Sequence, residues 1–479
     1  MNSLYNKWNA ILWGLAFTII TSAVSCNKLV EIDAPVSTVN QANVYANDAT
    51  ATAALTGIYI SMGDVFSVFT GKESISLRSG LSADEFTLSN EVTDTKLIAY
   101  YQNSLSDDLS LGAEMWEPLY KNIFFCNSAI EGLSSSTALT TQVKQQLTGE
   151  AKFIRAFCYF YLVNLFGDVP LAVTSDYKVN ASMGRASKKM VYQQVLNDLL
   201  DARAKLDDNY LDGKLQPYKG AIERVRPNKA AATALLARVY LYTNDYANAE
   251  TYATQVINNS TLFSLPTLDN TFLKNSIEAI WQLQPSVSGW NTGDAQVFVI
   301  NNNQGNDKPV YLNQGLLDAF ENGDARKNEW IHDTIINNVN YYYPYKYRNA
   351  TFNEPVTEYL MVLRLAEQYL IRAEARAQEN NFSGALEDLN IIRARAGLIS
   401  TTAGDKNSLL AAILQERRIE FFSEWGHRWL DIKRTNEVDK VMTIITSQKG
   451  GTWKEFQELY PLPLTDIQKN KNLIQNYGY

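Results

Sequence analysis

Histidine is almost absent from this chain: His332 and His427 are the only two in 479 residues. That excludes a His-rich metal centre and leaves little room for an imidazole-based triad. Cysteine is nearly as rare, at three residues. Cys126 and Cys158 each sit in aromatic-rich helical sequence and read as buried thiols acting as small hydrophobes, not as a bridge. No Cys-x-x-Cys, Gly-x-Gly-x-x-Gly, Walker loop or calcium loop occurs. No cofactor and no metal are therefore expected. A basic surplus is missing too. Lys and Arg number 43 against 51 acids, for a net charge of −8, which argues against nucleic acid as a partner. After residue 26 no apolar run is long enough to cross a bilayer. The greasiest stretch, Phe153 to Val173, is broken by Arg155, Asn164 and Asp168.

What is present begins at the N-terminus. Lys7 precedes an apolar run, Ala10 to Ile20, and then Ala23-Val24-Ser25-Cys26. A positive leader, a short apolar core and small residues before a cut site describe an export signal, residues 1–25. The Cys directly after the cut makes it a lipoprotein signal, with Cys26 the lipidation point and the first mature residue. The expectation is a chain held to a membrane by lipid and not by a spanning helix.

One pattern recurs downstream. Ala231 to Ile257 reads as two helices around Thr243-Asn244-Asp245, with Leu235, Val239 and Tyr242 on one stripe and Ala249, Ala253 and Val256 on the next. Leu365 to Ile392 repeats it at a constant offset. Ala373 and Arg376 stand where Ala237 and Tyr240 stood, and Phe382, Ala385 and Leu389 match Tyr246, Ala249 and Ala253. Small residues let antiparallel helices approach, and an aromatic fills the gap at the turn. This is tetratricopeptide-repeat logic. A third copy is split, with Ala156 and Tyr159 on one helix and Tyr192, Val195, Leu199 and Ala202 on the other. Trp116 to Leu133 starts a fourth. The expected fold is mostly α, a tetratricopeptide-repeat core carrying long irregular loops and a few short strands. The insertions are Ser61–Ser110, Ser175–Ser187, Asp207–Pro227, Ser286–Pro309 and Asn337–Pro355. Short strands are expected at Ala279–Leu283 and Gln296–Ile300.

The densest charge cluster runs from Glu416 to Asp431, behind a helix that Ser408 is placed to cap. Glu416, Glu420 and Glu424 share one helix flank and need compensation. Arg417, Arg428 and Arg434 are the expected partners. A pair of Glu could serve a glycosidase, but a flank lined by Arg between Phe421, Phe422 and Trp429 fits a structural lock better.

Several blocks carry a family resemblance. Glu150-Ala151-Lys152-Phe153-Ile154-Arg155-Ala156-Phe157 with Leu165-Phe166-Gly167-Asp168-Val169-Pro170, Ala234 to Leu241, Arg364-Leu365-Ala366-Glu367 with Ala373-Glu374-Ala375, the Glu416–Asp431 stretch, Tyr460-Pro461-Leu462-Pro463 and the terminal Gln475 to Tyr479 occur in family order. Together they resemble the SusD/RagB family of surface lipoproteins that accompany TonB-dependent nutrient importers. Tyr477 stands where the family pattern has Pro. The resemblance implies a tetratricopeptide-repeat fold, no enzymatic activity, an outer-membrane location facing the cell exterior, and a SusC-like TonB-dependent barrel as partner. It implies an oligosaccharide ligand or, in some members, a peptide. It divides the mature chain into an N-terminal region, 26–225, and a C-terminal region, 226–479, of one unit.

The insertions must then hold the ligand. Sugars stack C–H faces on aromatic rings and hydrogen-bond through hydroxyls. The chain has 27 Tyr, 19 Phe and 9 Trp, more than the stripes above consume. Trp290, in the polar Gly289-Trp290-Asn291 loop, is the first candidate. Tyr341 and Tyr343, in Tyr341-Tyr342-Tyr343-Pro344-Tyr345, are second. Tyr101 and Asn103 follow, with Arg78 and Asp84 as polar helpers. Trp116 and Trp281 read as core, and Trp330 fits either place.

Overall fold

Side-chain caps set where the helices begin. Asn228, Asp245 and Asn381 accept the backbone N–H of Ala231, Asn248 and Gly384, donors that a first turn cannot satisfy internally. The two tight turns between paired helices use Asn244 and Asn380 at φ 59° and 66°. Asn tolerates this left-handed region better than most residues. The computed structural model describes residues 41–107, 111–301 and 304–479. The leader and Cys26 lie outside the described residues. Gln41–Val44 is a short helical turn, and Tyr45–Tyr479 forms one compact unit.

Within that unit the helices are α1 (Asp48–Met62), α2 (Ile75–Ser82), α3 (Thr95–Tyr101), α4 (Ala113–Ser135), α5 (Thr141–Phe166), α6 (Lys188–Lys205), α7 (Lys229–Tyr242) and α8 (Tyr246–Ile257). They continue with α9 (Gly293–Phe298), α10 (Leu365–Gln378), α11 (Phe382–Arg395), α12 (Lys406–Glu420), α13 (His427–Arg434) and α14 (Val438–Gln448). From α4 to α8 each helix packs on the next, α8 packs on α10, and α10 on α11 and α12. This is the succession of paired helices that the repeats imply. Ala237, Ala249, Ala253, Ala373, Ala385 and Leu389 are wholly buried at the close approaches. The split repeat closes across its excursion, since α5 and α6 pack tightly. Tyr120 and Tyr159 tie the excursion back by donating to Pro170 O and Ala172 O, at 2.7 and 2.8 Å.

Buried bidentate ion pairs bolt these helices together. Arg155 holds Asp198 at 2.8 and 2.6 Å between α5 and α6. Arg238 holds Glu367 at 2.6 and 2.6 Å between α7 and α10. Arg372 holds Asp388 at 2.8 and 2.7 Å between α10 and α11. A guanidinium fork fits a carboxylate in one geometry, so each bolt fixes helix register as well as proximity.

Short strands decorate the frame. β1 (Phe86–Leu88) pairs with β3 (Val310–Leu312), β2 (Ala279–Leu283) with β6 (Leu360–Arg364), and β4 (Ile331–Ile336) with β5 (Val339–Pro344), all antiparallel. Every residue of β2 and β6 is buried. The β4–β5 hairpin turns on Asn337 and Asn338, both at positive φ, 51° and 63°, as a two-residue turn matched to strand twist requires.

Four expectations change. Gln296–Ile300 is not a strand. Thr292 caps Ala295 N at 3.0 Å and starts α9 there, while Asp294 accepts from Thr70 and Gly71. Ser61–Ser110 is not one loop, because α2, α3 and β1 lie within it and α2 is entirely buried. Asp405, not Ser408, caps α12, with Ser408 bonding back to it in a capping box. Lastly, the glutamate flank is compensated from elsewhere. Glu416 pairs with Arg326 and Arg393, Glu420 with Arg326, Arg364 and Arg395, and Glu424 with Arg364 and Lys346. Arg417 goes to Asp431, Arg428 to Asp84, and Arg434 to Asp431 and Glu374. Cys126 and Cys158 are buried free thiols, and Trp116, Trp281 and Trp330 are buried.

Arg238→Ala strands the Glu367 carboxylate in the interior, and losing one partner of such a pair costs about 3–5 kcal/mol. Urea denaturation is expected to lose that much. An unchanged midpoint contradicts the bolt.

Candidate functional site

Alternation along β1 and β3 builds a face. Thr87 lies opposite Tyr311. The flanking pairs, Phe86 with Leu312 and Leu88 with Val310, are buried, so Thr87 and Tyr311 point outward. Tyr341 of β5 meets the Tyr311 ring edge-on, with centroids 5.0 Å apart and planes at 75°. Tyr101, the last residue of α3, brings its hydroxyl to Thr87 and the Leu88 backbone beside Tyr311. Burial, with Tyr311 adding, raises that hydroxyl above the usual phenol range. Tyr101, Tyr311 and Tyr341 thus form a row of half-buried rings.

The row is held from behind. The Lys449 ammonium lies 5.1 Å from the Tyr101 ring centre and donates to Leu81 O at 2.7 Å and to Ala83 O, carbonyls at the end of α2. Val299, Ile300 and Tyr343 form a buried cluster on which Tyr311, Tyr341, Tyr345 and Ile336 pack. An amide rim flanks the row. Ser89 donates to Gln304 Oε1 at 2.9 Å, and Asn306 Oδ1 accepts from Thr93 N and Asp94 N at 3.0 and 3.1 Å. Lys308 is half-buried and donates to Gln296 O. Burial lowers it to about 8.

A second aromatic patch lies on the Ser286–Pro309 insertion. Trp290 is half-buried against Phe352, with centroids 5.0 Å apart, and Phe352 is 53% exposed. Gly289 turns the chain at φ 85°, and a Cβ there would meet Phe352 at 2.6 Å. Asn291 Nδ2 donates to Pro355 O at 3.1 Å, while its Oδ1 accepts from Thr357 N and Glu358 N at 2.8 and 3.0 Å, and so it clamps this loop to the end of the Asn337–Pro355 insertion.

The expected residues divide sharply. Tyr101 and Tyr341 join the row, and Trp290 lies on the second patch. Tyr343 is 5% exposed. Its ring alternates inward from Tyr342, and its hydroxyl meets His332 at 3.2 Å. Arg78, Asp84 and Asn103 are buried and committed to the frame, which corrects their placement as ligand contacts. Arg78 pairs with Glu73 and lies 5.0 Å over the Tyr100 ring. Asn103 donates to Ser82 O and Thr446 Oγ1, at 3.2 and 3.0 Å. Asp84 accepts from Arg428 Nε and Nη2, at 2.7 and 2.9 Å. Burial pushes the Asp84 carboxyl up, but Arg428 and Arg418 outweigh it and hold it down to about 2. Sequence reasoning missed Tyr311 and Thr87. Their signal was the apolar–polar–apolar alternation of Phe86-Thr87-Leu88 and Val310-Tyr311-Leu312.

No group of three or more His, Cys, Asp or Glu among the described residues could hold a metal. No helix among them is long and apolar enough to cross a membrane.

Comparison with known proteins fits this architecture. The sequence model of the SusD family matches residues 296–479, and one described as "Starch-binding associating with outer membrane" matches residues 39–241. The chain belongs to the SusD/RagB family. SusD-like protein P2 of Formosa agariphila is 27% identical over 96% of this chain and 97% of its own. The starch-binding protein SusD of Bacteroides thetaiotaomicron is 24% identical over 72% of this chain and 75% of its own. Among solved structures, a laminarin-binding SusD-like protein superposes with a TM-score of 0.75 at 25% identity, covering 91% of this chain and all of that one. A SusD-superfamily protein from Bacteroides vulgatus gives 0.77 at 20% identity, covering 90% and 99%.

Glu85, between Asp84 and β1, offers a pH test. Burial, then the neighbouring Asp84, raises its carboxyl to about 8. A carboxyl raised on folding adds stability at low pH, and that stability is lost as pH climbs through the folded value. Calorimetry is expected to show this contribution to Tm falling as pH rises from about 4.5, the free value, to about 8, and levelling above it, with Glu85→Gln removing that part of the fall. An identical slope in the variant overturns the assignment.

Proposed function

We propose that this SusD/RagB protein binds oligosaccharide at the cell surface and delivers it to a SusC-like TonB-dependent barrel without chemical change. The row of Tyr101, Tyr311 and Tyr341 carries the reading. Three rings on rigid elements, beside Thr87 and the Gln304–Asn306 amides, offer the stacking faces and hydrogen-bonding edges that a sugar chain needs. The names of the relatives support the ligand class, one binding starch and one laminarin. The family description supports association with the outer membrane. Lipidation at Cys26 supplies the anchor in this reading. The division of the mature chain at 225/226 follows the two family matches only loosely and belongs to the same proposal.

The glutamate flank in the core supports the non-catalytic part of the proposal. The glutamates of the Glu416–Glu424 flank are buried and paired with Arg and Lys, so they cannot flank a scissile bond as a hydrolytic pair does. Trp290 and Phe352 form the second contact in this reading, one that only a longer oligosaccharide uses.

Titration calorimetry with laminari- and malto-oligosaccharides tests the proposal. Tyr311→Ala is expected to weaken binding about fivefold, the equivalent of one ring–sugar stack of roughly 1 kcal/mol, with Tm little changed. Trp290→Ala is expected to affect long chains and spare short ones. Wild-type affinity in Tyr311→Ala, or binding of peptides in place of every glycan, sinks the reading. Turnover of a labelled oligosaccharide by the purified protein sinks its non-catalytic part.

A further inference from the structure

A cavity of about 710 Å³ opens between α12, α13 and α14 at the turn that starts α8. Its floor is basic. Arg418 Nη2 and Arg428 Nη2 approach the same oxygen, Asp84 Oδ2, at 3.0 and 2.9 Å. Two guanidiniums therefore share one carboxylate. The next acid, Glu85, is held protonated near neutrality, with a value of about 8 set by burial and then by Asp84. It does not balance the second cation. Lys449, behind Asp84, feels that carboxylate's charge but donates its hydrogen bonds to backbone carbonyls.

The remaining nitrogens of this pair are not consumed. Arg428 bonds Asp84 through Nε and Nη2 only, and Arg418 reaches Gly315 O and Asp84 through Nη2 only. Arg418 Nε is buried with no partner. Arg434, across the cavity, is fully used by Glu374 and Asp431. A half-buried surplus cation is costly unless an anion joins it. A guanidinium pair with unspent N–H groups is suited to an oxygen anion. Amide side chains of Asn244, Gln378 and Asn436 and the Tyr246 ring line the same walls, and these fit a hydroxylated ligand.

We propose that this cleft is a second binding site, separate from the tyrosine row, that takes an oxyanion group on Arg418 and Arg428. The anion is a carboxylate, sulfate or phosphate. A uronic acid unit and a free inorganic ion present the same chemistry, and the experiment separates them.

The test titrates the mature protein at low ionic strength with glucuronate, sulfate and phosphate, with glucose as the neutral control. Binding is read by calorimetry and by the arginine Nε–H resonances. Saturable binding of at least one anion and none of glucose is expected. Glucuronate alone identifies an acidic sugar, and equal response to sulfate and phosphate identifies a small inorganic ion. Arg418→Gln is expected to weaken binding at least tenfold, and Arg418→Lys to restore part of it. Failure of all three anions to shift those resonances overturns the proposal in the wild-type protein, whatever the variants do. Equal binding in Arg418→Gln overturns it as well. Neutral-glycan titration at the tyrosine row is measured separately, so failure of one site is not failure of the other.

Discussion

Arg364 is the residue on which the molecule closes. It ends β6 and stands immediately before α10, so it joins the buried strand pair to the repeat helices. Its guanidinium meets Glu278 at 2.9 Å, Glu420 at 2.5 Å and both oxygens of Glu424 at 2.9 Å. Arg395 shares the Glu420 oxygen that Arg364 holds, and Arg326 takes the other one. Burial pushes Glu420 up, but Arg395, Arg364 and Arg326 outweigh it and hold the carboxyl far below its usual range. One cationic centre thus gathers α10, α11, α12, β2 and the Arg326 segment. A charge buried this deeply is tolerated only when every neighbour stays in place. The cluster therefore penalises any rearrangement of those elements.

That rigidity reaches the surface through short links. β3 leads by Asn313 to Glu85, whose backbone oxygen accepts from Asn313 N at 2.9 Å. Glu85 Oε1 accepts from Ser423 N, one residue before Glu424. The outward Thr87 and Tyr311 are thus a few bonds from the central charges. The proposed binding face is a strand ribbon anchored to the core, and preorganised rings lose little freedom when a ligand arrives.

The frame was legible in the sequence because repetition is. Ala237 and Ala373, Tyr246 and Phe382, and the turn residues Asn244 and Asn380 recur at one offset, and each is a local requirement of a close helix pair. The charge bolts were not legible in detail. Glu416, Glu420 and Glu424 announced a need for cations, but their partners Arg326, Arg364 and Arg395 come from distant segments, and no local spacing names them. The burial of Arg78, Asp84 and Asn103 was not legible either, because they lie in polar sequence and polar sequence ordinarily marks surface. α2 is buried instead, so its polar side chains pair internally. Tyr311 escaped notice because a three-residue strand carries too little alternation to stand out until its partner β1 is known.

Three tyrosines make a deliberate weakness of a stacking site. Each ring supplies roughly 1 kcal/mol beyond the area it covers, so the stacking terms of the row come to about 3 kcal/mol, less than the roughly 4 kcal/mol of a millimolar complex. The covered area and hydrogen bonds from Thr87 and the amide rim add to this, and those bonds exchange readily with water. On the proposed function that balance is useful. A capturing protein held beside its importer works at high effective concentration, and a tight complex would slow the hand-over by lowering the dissociation rate. The frame can be stiff because the grip is light: rigidity sets which chain shape fits the row, and the modest energy of each ring sets how soon it leaves.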